Sequence, residues 1–550
     1  RLVCDVADPG GNRSVVQHEI ETLRRDNAMI AAKLAATIDQ NIKLRRQLAA
    51  MASTRVWRPA ALIHKMRSVF LRAYKSLMRY AGLGRSRNLS SWMFSAYRSA
   101  RLPVGVRLAL HRGLLRWTPS LYERLRHAAG IYGPVAMNEL AGSRTTSDDI
   151  VGESRFRAGF RRLVEVLAAH SAQHGPLTHV IALPFFSVGG AQLVASNFAA
   201  AVEANASRCL LIATDATLTG TDMFPSDRSI AIDLSDFFGP ADAVAREHLL
   251  FAVLRMLRPK VFHVINAEVG WRLIINQGAR LRTMMRLYGS MFAFQFDPKN
   301  GRKIGYAASF LADAMPFLDG LTSDNRRFID DATREFSFDD VKSRLYVVYN
   351  TVELVDEKVL VGAANFANAL PARIRAASRL SVLWAGRLDA EKRPELLLAV
   401  ARDCPDMDFH VYGARVVDKN LSDHFQGRPN LHLHGAYSSA EEVMSRREHH
   451  VMMFTSRWEG LANVLIEFGS LGLPIVAATV GGVGELISTD TGYPLPEAPT
   501  PADYARALRA VWDDPLSAGA RSQRLLELIA RQHSRAAFEQ AVRGIEGYLT

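Results

Sequence analysis

Cysteine is scarce in this chain: three in 550 residues, Cys4, Cys209 and Cys404. They stand far apart, with no C-x-x-C or Cys/His ligand spacing, which argues against a disulfide framework and a structural zinc site and points to a reducing, cytoplasmic setting. No apolar run reaches the eighteen or so residues a membrane-crossing helix needs. The chain opens on Arg1, with neither a methionine nor a signal-peptide pattern, and reads as the trimmed or C-terminal part of something longer. Acid, finally, is almost missing from one region. Between Arg55 and Arg126 sixteen Lys and Arg face one acid, Glu123, so this tract exceeds the whole net charge of +13 and the remainder is close to neutral.

What is there divides into regions, since 550 residues suggest about three or four units at roughly 150 residues each. Residues 1–14 read as disordered or as the remnant of an upstream part. Over 15–52 the positions Val16, Ile20, Leu23, Asn27, Ile30, Leu34, Thr37, Asn41, Leu44, Leu48 and Met51 alternate steps of four and three, an a/d seam. Asn27 and Asn41 fall at a, where a buried asparagine fixes a parallel two-stranded register, so a homodimer through this coil is expected. The competing reading is one amphipathic helix lying on a globular domain. Residues 53–150 form a basic amphipathic helical region in which Trp57, Tyr74, Trp92, Phe94 and Trp117 interleave with the cations. That composition suits an anionic membrane surface, at about 1 kcal/mol per basic residue near the headgroups. A packed, solvated helical linker is the alternative. No nucleic-acid recognition fold accompanies the charge, so no nucleic-acid partner is expected.

From about Pro176 strands and helices alternate. THVIALPFF, RCLLIAT, KVFHVIN and RLYVVYN read as buried strands between helices, the pattern of a parallel sheet covered on both faces. Gly189 and Gly190 make a strand-to-helix turn that lets a ligand approach a helix N-terminus, although such glycines also serve close helix–sheet packing. A second alternating set starts near Leu380 with LSVLWAGRLDAEKRPELLLAVARDC. Arg387 and Lys392 follow its first strand, where they can neutralise a diphosphate or pair with Asp389 and Glu391. Further on, SRWEGLANVLIEFGSLGLPIV places Glu459 and Glu467 in an apolar segment, where each is costly to bury without a partner. A helix starting at Asn463, with that residue as its N-cap, would leave Glu459 in a loop and Glu467 about one turn inside.

Taken together, GGAQ near 190, GRLDAEK at 386–392, EGLANVLIE at 459–467 and GGVGELI at 481–487 resemble the nucleotide-sugar-dependent glycosyltransferases of the GT-B fold, within them the large retaining family four. Ser323 and Asn350, in LTSDNRRFI and VVYNTVEL, also stand at familiar positions. The resemblance covers about residues 176–550. It implies two facing Rossmann-like domains, an acceptor domain at 151–350 and a donor domain at 380–530. A linker at 351–379 and a last helix at 531–550 that crosses back to the first domain complete the arrangement. It implies an active enzyme that transfers a hexosyl or deoxyhexosyl group from a nucleoside diphosphate sugar to a lipid-linked glycan of bacterial surface polysaccharide or O-antigen type. Retention is expected, without metal or cofactor, on the inner face of the cytoplasmic membrane. By the same resemblance Glu459 contacts the donor sugar, Glu467 the ribose, Arg387 and Lys392 the diphosphate, and Gly189, Gly190, Asn463 and Val464 complete the donor site. For the acceptor side the candidates are His263 and Asn266, which end KVFHVIN, and Asp297 after AFQF, because strand ends in this fold face the cleft. A satisfied structural role competes for His263. The sequence departs from the family at Ala462, where proline is common, and segment 284–306 has no histidine where many relatives place one. The second departure leaves the acceptor side undefined. A membrane-associated scaffold with an inactive glycosyltransferase body is the alternative, but a scaffold has no need of intact Arg387, Lys392, Glu459 and Glu467.

Overall fold

A computed structural model describes residues 147–550 except 187–188, 216–227, 239–242, 298–299, 353–356, 414–427 and 447. The expected coiled coil at 15–52, and the basic region at 53–150 up to residue 146, lie outside the described residues. Helix α1 (Ser147–His174) leads in, burying Leu163 and Leu167 against the first sheet. That sheet is built from β1 (His179–Leu183), α2 (Gly190–Ala204), β2 (Cys209–Ala213), β3 (Ile230–Asp233), α3 (Ala243–Leu257), β4 (Val261–Ile265), α4 (Glu268–Leu281) and β5 (Arg286–Ser290). A small antiparallel hairpin, β6 (Gln295–Phe296) and β7 (Lys303–Ile304), precedes β8 (Gly320–Ser323), α5 (Arg326–Phe336) and β9 (Leu345–Val347). The seven-stranded order is β3-β2-β1-β4-β5-β8-β9, parallel throughout. Strands β1, β2 and β4 are buried along their whole length, which is why they read as unbroken apolar runs.

The second domain opens with α6 (Glu357–Ala376) and continues through β10 (Leu380–Ala385), α7 (Pro394–Asp403), β11 (Met407–Tyr412), β12 (Leu431–Gly435), α8 (Ala440–Arg446), β13 (Val451–Phe454), α9 (Asn463–Ser470), β14 (Ile475–Ala478) and β15 (Tyr493–Leu495). Three helices follow, α10 (Pro501–Asp513), α11 (Pro515–Gln532) and α12 (Arg535–Arg543). Its six parallel strands run β12-β11-β10-β13-β14-β15. In each sheet the strand order reverses direction once, between β1 and β4 and between β10 and β13. The carboxyl ends at such reversals are where doubly wound sheets open a ligand crevice.

The span 351–379 is mostly the helix α6, which packs along α11 and buries Ala363, Leu370 and Ile374. It is thus part of the second domain's shell more than a connector. Helix α12 lies on α2, and Phe538, Val542, Ile545 and Tyr548 join the hydrophobic layer of the first sheet. Tyr548 is fully buried there. Its hydroxyl bonds His263 Nδ1 at 2.8 Å, while its carbonyl meets His179 Nε2 at 2.7 Å. Among the described residues no helix is long and apolar enough to cross a membrane.

Candidate active site

A cleft of about 1670 Å³ lies between the carboxyl ends of the two sheets, and residues from both domains line it. On the second domain the chain leaves β10 through Gly386, whose N–H donates to Tyr412 O at 3.0 Å. Gly413 packs so tightly there, at φ +153°, that a Cβ would lie 1.8 Å from Gly386 O. This pinned turn carries Arg387 and Lys392. Arg387 is half exposed and donates from Nε to Asp389 Oδ2 at 2.8 Å, with Glu391 3.5 Å from its Nη2. Lys392 sits deeper. Its ammonium lies 3.0 Å from Glu391 Oε1 and hydrogen-bonds Glu459 Oε1, and only 16% of its side chain and 13% of that of Glu459 are exposed. Burial alone would lower the lysine's pKa, but Glu459 and Glu391 overcome this and hold it above its ordinary value. Behind it, Trp384 Nε1 donates to Thr455 Oγ1 at 2.9 Å and Thr455 Oγ1 donates to Lys392 O at 2.5 Å. The lysine backbone is thereby fixed from the core.

Glu459 owes its position to glycines. Gly481, at φ +53°, lies so close that a Cβ would stand 1.9 Å from Glu459 O, and Gly482 N–H donates to Gly460 O at 2.9 Å. The neighbouring Trp458 also lines the cleft, and its buried indole N–H has no hydrogen-bond partner among the described residues. Glu467, one turn into α9, reaches the cleft without an ion pair among the described residues; burial, reinforced by Glu441, pushes its carboxyl up to about 7. Glu441 and Tyr437 line that same end.

Asn463 departs from its expected role as a helix cap. The N-cap is Ala462, with no side-chain cap bond, and the Asn463 side chain instead accepts from Asn350 Nδ2 at 2.8 Å. Asn350 Oδ1 in turn accepts from Asn197 Nδ2 of α2 at 2.6 Å, so three amides bridge the domains. Gly190 faces this bridge: a Cβ there would be 3.6 Å from Asn463 Nδ2. Gly189, Gly190, Asn463 and Val464 all line the cleft together with Arg387, Lys392, Glu459 and Glu467.

The acceptor-side candidates fare differently. His263 is a correction. It is fully buried in β4 between Tyr548 and Ser290 Oγ, 2.8 Å from each, and burial pushes its imidazole down to about 3, so it is a neutral structural residue. It does not line the cleft. Asp297 sits in the turn of the β6–β7 hairpin, where it accepts from Asn300 Nδ2 at 2.7 Å and also does not line the cleft. Asn266 does line it, in a left-handed conformation at φ +50° just past β4, a conformation asparagine tolerates better than most residues. Tyr306 and Gln295 join it on that wall. Sequence reasoning also missed Asp324 and Thr455. The acid in SDN directly after the strand GLTS was a visible signal for the first; nothing local marked the second. Among the described residues no group of three or more His, Cys, Asp or Glu is placed to hold a metal ion.

Residues 379–514 match the family model described as Glycosyl transferases group 1. The Escherichia coli protein described as O-antigen biosynthesis glycosyltransferase WbnH is 27% identical over 160 residues, 29% of this chain and 46% of that protein. A D-inositol 3-phosphate glycosyltransferase of Geodermatophilus obscurus is 30% identical over 193 residues, 29% of this chain and 41% of that one. The chain thus spans less than half the length of these curated relatives. Among solved structures, Anabaena Alr3699/HepE in complex with UDP superposes with a TM-score of 0.52 at 13% identity, covering 67% of this chain and 98% of that one. The lipopolysaccharide outer core galactosyltransferase WaaB, in its apo form, gives 0.50 at 14% identity, covering 67% and 98%. The chain has the GT-B fold.

Proposed function

We propose that the chain is a glycosyltransferase that moves a hexosyl or deoxyhexosyl group from a nucleoside diphosphate sugar, with retention and without a metal ion, to a lipid-linked glycan of bacterial surface polysaccharide. What carries the reading is Lys392, desolvated and charged beside Glu459 and facing, across one cleft, the N-terminus of α2 at Gly190. Arg387 and Lys392 stabilise the charge that builds on the leaving diphosphate, exchanging Asp389 and Glu391 for phosphate oxygens. Amides at the start of α2 add positive potential from the other domain. Glu459 accepts from sugar hydroxyls near the reacting carbon, and Glu467 from the ribose. Retention follows a front-face path in which the leaving phosphate takes the acceptor proton. The matched relatives include an O-antigen enzyme, and a fold neighbour was crystallised with UDP, which supports a UDP-linked donor and a surface-glycan acceptor. Dimerisation through 15–52 and docking of the basic region on the inner face of the cytoplasmic membrane belong to the same proposal.

A thermal-shift screen of nucleoside diphosphate sugars tests it: a true donor at about 100 times its Kd adds roughly 2.7 kcal/mol of stability. With that donor, Lys392→Ala lowers turnover on the order of 10²–10³-fold, the usual cost of removing one group that stabilises transition-state charge. If no nucleotide or sugar nucleotide stabilises the protein, or Lys392→Ala turns over at the wild-type rate, the reading is wrong.

A further inference from the structure

The two domains exchange carboxylates at their contact. Glu485, from the second domain, accepts the N–H groups of Arg326 and Arg327 at 3.1 and 2.9 Å, capping α5 of the first, and takes the Tyr349 hydroxyl at 2.7 Å. In the opposite direction Asp324, from the first domain, accepts Leu461 N–H through Oδ2 at 3.2 Å. Its Oδ1 accepts from Asn325 Nδ2 at 2.7 Å. Leu461 is two residues beyond Glu459. The residue between them must be glycine, since a Cβ on Gly460 would lie 2.8 Å from Asp324 Oδ1 and 2.8 Å from Phe292 Cβ.

We propose that Asp324 is a positioning residue that ties the seating of Glu459 to closure of the two domains and makes closure depend on a proton. The inference rests on the reading of Glu459 as a donor-sugar contact. Asp324 is 8% exposed at an interdomain seam. Burial is the main cause that lifts its carboxyl to about 7, against the Asn325 amide and the Leu461 N–H, which favour the anion. Two further acids face it, Glu459 from the loop it holds and Glu485 from the turn beyond, and both raise it more. When the seam opens, water reaches the carboxyl and its ordinary value near 3.8 returns. The closed form therefore takes up a proton, and closure is favoured below about 7. Above it the Asp324 charge meets Glu485 and Glu459 across the seam, the second of these already paired with Lys392. Between pH 6 and pH 8 this linkage lowers the closing equilibrium about tenfold.

Amide exchange of the segment 458–464, followed by mass spectrometry on the full chain at pH 6 and pH 8 and corrected for intrinsic rates, reads the seam directly. In the wild type, protection falls about tenfold with the rise in pH. Asp324→Asn keeps an acceptor for Leu461 without the charge, and holds the pH 6 level of protection at both pH values. Asp324→Ala is poorly protected at both. With the donor selected by thermal shift, Asp324→Ala loses at least about tenfold in kcat with KM little changed, and Asp324→Asn restores it. Equal pH dependence in wild type and Asp324→Asn, or indistinguishable Asn and Ala variants, would overturn the proposal. UDP and GDP binding separates it from the functional reading. A wild type that binds neither nucleotide but shows the expected exchange pattern keeps the Asp324 link and sinks the role given to Glu459.

Discussion

Lys392 and Glu467 place opposite demands on the same cleft. The lysine is held between two carboxylates that keep it charged, whereas Glu467 is largely buried with no cation paired to it among the described residues and is lifted to about 7. The sign of the second effect is definite. A carboxyl whose folded value exceeds its ordinary 4.5 binds its proton more tightly in the folded protein, so its contribution is full below about 4.5 and is lost as pH rises towards 7. Wild-type Tm is accordingly expected to fall relative to Glu467→Gln between pH 5 and pH 8, as measured by parallel thermal melts. Much of this site was legible residue by residue. Glu459, Glu467, Arg387, Lys392, Gly190, Asn463 and Val464 come from three short stretches and share one cleft, because each stretch follows a parallel strand at its carboxyl end. His263 misled for a physical reason. In a strand buried on both faces, position along the strand does not say whether a side chain points to a cleft or, as here, to a C-terminal segment packed on the sheet. Asp324 was invisible as a site residue because its meaning lies in the other domain, 137 residues away at Leu461.

At the scale of elements, the glycine pair 481–482 lets a turn some twenty residues further along the chain stack directly on the Glu459 loop. The turn and the loop are stacked with no room for a side chain. Gly481→Ala puts a methyl 1.9 Å from Glu459 O at a residue held at φ +53°, so the loop must move. Its expected cost is about 1–3 kcal/mol in stability, read by chemical denaturation, with a proportionally larger loss of donor turnover because the displaced group is Glu459. Strands rich in β-branched and aliphatic residues were readable at once. Strand β5 was not, since RLYGS contains Gly289, where a Cβ would lie 2.1 Å from the Trp271 ring. There packing by α4 overrides strand propensity. The three-residue β15 and the two-residue hairpin strands were too short to show any period. The helix inside 351–379 was hidden by Pro371, a residue that usually ends a helix but here lies within α6 beside Gly519 of α11.

For the whole molecule, the second domain is bracketed by the first: α12 and Tyr548 return to the sheet that begins at β1. The Tyr548 hydroxyl is the polar keystone of that return, because His263 Nδ1 has it as a buried partner. Tyr548→Phe keeps the ring and leaves that nitrogen unpaired, which is expected to cost about 1–3 kcal/mol in urea unfolding while leaving nucleotide affinity unchanged. Fold class was legible at this scale because the alternation of strands and helices occurs twice. The seam was not, because polar contacts such as Glu485 with Arg326 and Arg327 join residues about 160 positions apart with no periodic signature. The return of the chain also bears on biosynthesis. His179 and Tyr548 are 369 residues apart, so β1 is made well before the segment that covers it. On the ribosome the first domain emerges with one apolar face bare, and that face stays bare while the second domain is made. The usual order of domain folding, N-terminal before C-terminal, therefore leaves the first domain with a face uncovered until α12 is made.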